Sequence, residues 1–243
     1  VVGSVSCVLE TGNKPAFGGN LILSEEVYKM LISEDSSVAP FVRRNVGSKE
    51  YINNDEIRYC LWLRDVPANL YRKNNEIMRR LAAVKEMRLK STAAPTRAMA
   101  DAPYKFFSAP QKEGDCLCIP EVSSERRKYI TMGFLKNGII ASNKLLILPD
   151  ASIYHFGVLI SNVHMAWTRT VCGRLKSDYQ YSGAIVYNNF PWPIPTEQQK
   201  QRIEQTAQAI LDARALYPDS SLADLYDELT MPPELRKAHQ AND

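Results

Sequence analysis

Apolar and polar positions change period several times along the chain. The stretch IRYCLWLR alternates at period two, with Ile57, Tyr59, Leu61 and Leu63 on one parity and Arg58, Cys60, Trp62 and Arg64 on the other. Both sets are largely apolar or aromatic, which predicts a strand covered on both faces. Upstream, VSCVLE and LILS read as strands around the Gly-rich turn FGGN, and EEVYKMLI reads as a short helix. In NLYRKNNEIMRRLAAVKEMRLKS the spacing lengthens: Leu70, Ile77, Leu81, Val84 and Arg88 recur every three, four or seven residues. That predicts one basic amphipathic helix over residues 68–90, with many of its cations facing water. The following STAAPTRAMADAP, small and proline-containing, reads as a loop.

From residue 115 the pattern turns to short strands, CLCIPE, KYITMGF, KLLILP and IYHF, separated by Gly, Asn, Pro or charged turns. FGVLISNVHMAWTRTVCG breaks that rhythm. Phe156, Ile160, Val163, Trp167 and Val171 step by three or four and predict one helix stopped at Gly173. NNFPWPIP stiffens the chain into a connector. Beyond it Thr196 and Gln199 form a capping box for EQQKQRIEQTAQAILDARALY. Ser221 is placed to cap LADLYDEL, and Pro232 or Pro233 opens ELRKAHQ, where a first helical turn accepts proline. The expected fold is α+β: a mixed, sheet-rich unit with packed helices over residues 1–195, then a small all-helical subdomain over 196–243.

Composition narrows the function classes. The 243 residues, 45% of them apolar, suffice for one large domain or two modest ones. The apolar runs are too short and interrupted to span a bilayer, and VVGSVSCVLE lacks the basic region and apolar core of a signal peptide, so no membrane partner is expected. Without an initiator Met, the chain reads as a piece of a longer protein. Five cysteines, an odd number, argue against a disulfide framework and for a reducing, cytoplasmic compartment. Cys116 and Cys118, at C-x-C spacing with no Cys or His pair near them in sequence, read as small buried residues, with no metal expected. The net charge of +3 hides an asymmetry: residues 40–105 hold fourteen Lys or Arg against seven acids, whereas 196–243 hold five against nine. Such a split suits a polyanion-facing first half, although charge runs also describe solvated helix faces.

The candidate chemistry lies in GRLKSDYQYSG, residues 173–183. If 175–182 form a strand, Lys176, Asp178, Gln180 and Ser182 share one face as a polar comb with teeth about 6.6 Å apart. Tyr179 and Tyr181 would then anchor the other face. Lysine donates to guanine acceptors, a carboxylate accepts from the cytosine amine and glutamine bridges donor and acceptor on adenine, so the comb suits base edges. The same alternation also describes an ordinary half-exposed strand. His164, a lone helical histidine without a partner Cys or Ser to activate, reads as structural; a reading with His164 or His155 as a catalytic base lacks a nucleophile or metal cluster.

The run IYHFGVLISNVHMAWTRTVCGRLKSDYQYSGAIVYNNFPWP, with FVRRNVGSKEYINNDEIRYCLWL upstream and MPPELRKAHQ downstream, resembles the C-terminal half of MmeI-like DNA methyltransferases, the fused type IIG/IIL restriction-modification enzymes. The resemblance covers nearly the whole chain. It implies a target recognition domain for double-stranded DNA and the start of a C-terminal helical domain, from an enzyme that methylates an adenine amino group within an asymmetric site. It further implies that Lys176 with Asp178 reads the final G·C pair and that Lys144 with Gln180 reads a pair further into the site. Candidate phosphate contacts are Arg43, Arg44, Lys49, Arg58, Arg126, Arg127, Lys128, Arg169 and Arg174, the last two favoured because they flank the comb.

The family's chemistry is not found in the sequence. There is no Gly-rich S-adenosylmethionine loop after a strand and no Asn-Pro-Pro-Tyr; in NNFPWP, Asn189 is followed by Phe190. Pro149-Asp150 lacks the later Glu-x-Lys of a nuclease. The chain is therefore expected to bind rather than catalyse, with S-adenosylmethionine and the upstream methyltransferase domain belonging to the parent enzyme. A second reading makes it a docking module whose basic helix and acidic tail contact the rest of that enzyme.

Overall fold

The computed structural model describes residues 7–243. The start of VSCVLE lies outside them; its described end leads into a two-residue strand, β1 (Glu10–Thr11). Strand β2 (Ile22–Ser24) runs directly into α1 (Glu25–Glu34), because the Ser24 hydroxyl accepts from the Val27 N–H and caps the helix. A 3₁₀ turn (Ser36–Phe41) precedes β3 (Val42–Val46), α2 (Ser48–Asn53) and β4 (Arg58–Leu61).

The expected helix over 68–90 is two helices, α3 (Ala68–Tyr71) and α4 (Asn75–Leu89). Asn74 restarts the helix by accepting from the Ile77 N–H while its amide donates to Asp35. Leu70 is left exposed, whereas Ile77, Leu81 and Val84 are buried. So is Arg88, which occupies an apolar slot in the period and donates to the carbonyls of Ala16, Met99, Ala102 and Lys105. The expected loop after it contains α5 (Ala94–Ala98), because Pro95 falls in a first turn, where proline needs no N–H partner.

Strands β5 (Cys116–Pro120), β6 (Val122–Ser123), β7 (Gly133–Leu135), β8 (Ile140–Ala141) and β9 (Leu145–Pro149) follow. Of KYITMGF only the last residues pair, since the Met132 carbonyl is taken by Arg214 from the C-terminal helices. IYHF is not a strand. It opens α6 (Ile153–Leu159), because Ser152 and His155 form a capping box across the start of the stretch. The single helix expected from Phe156 to Val171 breaks after α6 and restarts as α7 (Asn162–Val171), capped by Ser161. This break turns the second helix: His164, Met165 and Thr168 face inward, and Val163 is 64% exposed. Beyond β10 (Gly173–Leu175), β11 (Asp178–Gln180) and a π-helical turn (Gly183–Tyr187) come α8 (Glu197–Ala215), α9 (Leu222–Leu225) and α10 (Pro233–Asn242). Thr196 with Gln199 caps α8, Ser221 caps α9 and Pro232 precedes α10.

The fold is α+β, and the described residues form three sheets. In the first, order β2-β4-β3-β8, neighbours are antiparallel except β3 with β8. It packs with α1 and α4 around Phe17, Leu23, Leu31, Leu61, Ile77 and Val84. The second, order β1-β9-β5-β7, is antiparallel, and its strand β5 is buried on both faces. Leu117 and Ile119 enter a core with Phe156, Ile210 and Leu235. Cys116 and Cys118 face the other way, among Val46, Leu135, Ala141, Leu145 and Ile147, where they pack as small apolar side chains. At Pro120–Glu121 the chain passes from β5 to β6, which joins the third sheet, order β10-β11-β6.

The C-terminal helices share the larger core. A Cβ on Gly157 of α6 would come within 2.8 Å of Ile203 and 2.9 Å of Ala207, so only glycine lets α6 and α8 approach this closely. Arg214 of α8 reaches the Met132 carbonyl at 2.8 Å and the Tyr226 hydroxyl at 2.9 Å, and Tyr226 meets His239 Nε2 at 2.7 Å. Asp243 accepts from the Tyr129 hydroxyl and the Asn162 N–H, closing the tail onto the sheet-bearing part. Among the described residues no helix is long and apolar enough to cross a membrane.

Candidate nucleic-acid interface

GRLKSDYQYSG is a hairpin, not one strand. Strands β10 and β11 pair in the register Gly173↔Gln180, Arg174↔Tyr179 and Leu175↔Asp178, leaving Lys176 and Ser177 as the two-residue turn. Lys176 adopts φ +57°. Such tight turns need a positive φ in their first central residue and usually place glycine or asparagine there, so an alternating sequence without either gave no turn signal.

Directly paired residues share a face. Gly173, Leu175, Asp178 and Gln180 therefore form one side of the hairpin, and Arg174 with Tyr179 the other. Asp178 and Gln180 are half-buried, Lys176 at the tip is exposed, and Leu175 is 52% exposed. The two tyrosines brace this arrangement from behind. Tyr179 is buried, and the fully buried Tyr181 meets His164 Nε2 at 2.8 Å through its hydroxyl. Burial holds His164 far below the usual histidine range, at about 3, so the ring is a neutral partner for Tyr181.

Lys144 comes to the same edge from β9. Its carbonyl accepts from the Glu121 N–H at 3.2 Å, and the Glu121 carbonyl in turn accepts from the Tyr181 N–H at 2.8 Å. With adjacent strands about 4.8 Å apart, the Lys144 and Tyr181 backbones stand roughly 10 Å apart on either side of Glu121. The Lys144 ammonium reaches Glu121 Oε2 at 3.1 Å, and the Ser48 hydroxyl donates to the Lys144 carbonyl. A cavity of about 530 Å³ opens between these segments, lined by Glu121, Asn143, Gln180, Ser182, Ile185 and Asn188 among others. Backbone pairing thus runs from Lys144 through Glu121 to Tyr181, next to Gln180 and Ser182, which line that cavity with Glu121, while Asp178 and Lys176 lie further along the hairpin. Sequence reasoning missed Glu121 and Asn143; their only local signals were positions at the end of CLCIPE and just before KLLILP.

The basic residues fall into two groups. Arg126, Arg127, Lys128, Arg169 and Arg174 lie beside the hairpin: Asp178 Oδ1 accepts from the Glu125 N–H at 3.3 Å, tying down their loop, and Arg169 donates to the Lys128 carbonyl at 3.3 Å. Arg126, Lys128, Arg169 and Arg174 are exposed, whereas Arg127 is half-buried, and burial pulls its guanidinium below its ordinary value. Arg174 lies across Tyr179, its guanidinium carbon 4.0 Å from the ring centre, and donates to the Ser177 carbonyl at 2.9 Å.

The other four cluster around α2 and β3. Arg58 is paired with Glu50, Lys49 with Asp55 at 2.6 Å, and Arg43 lies beside Gly138. Arg44 lines a separate cavity of about 670 Å³ that Asp115, Lys136 and Arg214 also border.

Comparison with known proteins places this geometry. The family described as "MmeI, target recognition domain" matches residues 5–194, and the one described as "MmeI, C-terminal domain" matches 195–243. DNA methyltransferase A of Bacillus subtilis (strain 168) is 38% identical over 235 residues, which are 97% of this chain and 26% of that protein. The solved structure of the Type IIL restriction-modification enzyme MmeI in complex with DNA is 45% identical, with a TM-score of 0.95 over 99% of this chain and 32% of that one. The Type IIG restriction endonuclease BpuSI, at 13% identity and a TM-score of 0.50, shares the fold alone. The chain thus spans about a quarter to a third of the length of these relatives.

Proposed function

The chain belongs to the MmeI target recognition domain family, and from that premise we propose that it reads the sequence of double-stranded DNA for a larger restriction-modification enzyme. Lys176 with Asp178 is proposed to read one G·C pair, the ammonium donating to guanine and the carboxylate accepting from cytosine. Lys144 with Gln180 reads a pair further into the site, and Ser182 extends the same row. Arg126, Lys128 and Arg169 contact phosphates, setting register and salt dependence. Methyl transfer to adenine belongs to the methyltransferase domain of a parent acting in the bacterial cytoplasm. S-adenosylmethionine is assigned to that domain too, because the chain offers no Gly-rich turn between strand and helix to hold it.

The observation that supports this reading is the backbone pairing of Lys144 with Glu121 and of Glu121 with Tyr181, which sets Lys144 close to the strand that carries Asp178 and Gln180. Titrating fluorescent duplexes into the protein across a salt series tests it. Affinity should fall linearly in a log–log plot, by about 0.9 per phosphate contacted, and should depend on base sequence. A signal indifferent to duplex and salt would favour the docking reading instead.

A further inference from the structure

Among the described residues strand β10 lies at the edge of its sheet and pairs only with β11, and all three of its residues are exposed. It therefore has little packing of its own and is held to the sheet chiefly through its pairing with β11. The turn it leads into contains a lysine in the left-handed region. Few groups are placed to hold this segment. Cys172 Sγ donates to the Gln180 carbonyl at 3.0 Å at the base of the hairpin, far from the tip. At the tip the holding group is Arg174, whose guanidinium carbon stands 4.0 Å from the centre of the Tyr179 ring and which donates to the Ser177 carbonyl at 2.9 Å. One side chain thus links the fixed strand β11, through a buried tyrosine, to the turn that carries Lys176.

We propose that Arg174 is a positioning residue for specificity: it locks the Lys176–Ser177 turn to Tyr179, so that Lys176 and Asp178 address the same base pair. This rests on the DNA-reading function proposed above. It gives Arg174 a different part from the phosphate contact that its charge and place in the sequence suggest. A phosphate contact needs only a cation, whereas this brace needs a planar group that stacks and donates at once, which lysine cannot do.

The experiment uses the intact parent enzyme and its Arg174→Lys and Arg174→Ala variants. Affinity is measured across a salt series on duplexes altered either at the base pair assigned to Lys176 and Asp178 or at the one assigned to Lys144 and Gln180. Thermal melting checks that the variants fold. The expected result is that Arg174→Lys keeps the wild-type salt slope but loses discrimination at the first pair by roughly tenfold, the weight of one well-made base contact, and keeps it at the second. The proposal is overturned if Arg174→Lys discriminates like wild type at both pairs while Arg174→Ala weakens all duplexes alike and lowers the salt slope by about 0.9, the mark of one lost phosphate contact. A wild-type enzyme with no preference among duplexes would overturn the DNA-reading function and this proposal together.

Discussion

The Lys144 ammonium stands 3.1 Å from Glu121 Oε2, and the Glu121 N–H donates to the Lys144 carbonyl at 3.2 Å, so two residues far apart in sequence are joined by side chain and backbone at once. The Lys144 side chain is 66% exposed. Exposed ion pairs contribute less than about 1 kcal/mol, so Lys144→Ala should leave the urea midpoint nearly unchanged. It should nevertheless cost about 1–3 kcal/mol of discrimination at one base pair. A large stability loss with discrimination intact would reassign Lys144 to the fold.

Exchanging donor and acceptor at the hairpin tip should change the base that is read. Lys176→Glu combined with Asp178→Arg, in the intact parent, inverts the hydrogen-bonding pattern offered to the pair. Sequencing of methylated sites should then show a different base demanded at a single position, the change representing about 1–3 kcal/mol per contact. Unchanged sites would defeat the assignment.

Lys176 also carries backbone strain. A side chain at φ +57° costs about 1–2 kcal/mol relative to glycine, part of which glycine returns as lost chain freedom. Lys176→Gly should therefore raise stability by up to about 1 kcal/mol in thermal denaturation while abolishing preference at its base pair. A lower melting temperature would mean that the lysine side chain holds the turn.

Arg88 is the most consequential residue away from the reading edge. Its guanidinium serves four carbonyls in a fully buried site. Arg88→Leu removes the guanidinium, leaves those carbonyls without donors and should cost at least about 3 kcal/mol in chemical denaturation. Arg88→Lys should recover little, since an ammonium cannot span the same four acceptors.

His164 and His239 are both held down to about 3, chiefly by burial. The unfolded chain takes up protons on these rings below pH 6.5, whereas the folded chain does not. Their stabilisation is thus complete above pH 6.5 and drains away as pH falls towards about 3. Each contributes a slope near 1.4 kcal/mol per pH unit across that window. Urea midpoints should fall steeply between pH 6.5 and 5, and His239→Gln should show roughly half that dependence. An unchanged profile in the variant would place the acid sensitivity elsewhere.

What the sequence made legible was what is local and periodic. Ile77, Leu81, Val84 and even Arg88 were assigned to one helix face because a period near 3.6 tracks burial whatever the residue type. The caps at Thr196 and Ser221 were readable because their partners lie three residues away. IYHF reads as a strand because a four-residue run fits either period, and the bond that decides for helix, from the Ser152 N–H to His155, is a cap rather than a periodic signal. The hairpin was hidden because Lys176 and Ser177 are not turn formers by type. The approach of Lys144 to the strand that carries Gln180 depends on pairing between segments distant in sequence, so composition and spacing could not supply it; only resemblance to a family suggests it.

The passage of one continuous backbone from β5, sealed on both faces, to β6, which carries the hairpin, separates two kinds of information. Where each reading group stands is dictated by a buried core that tolerates little change. Which group stands there is left to side chains that bear almost no weight. On the base-reading proposed for these residues, recognition can drift one letter at a time while the scaffold beneath it stays still.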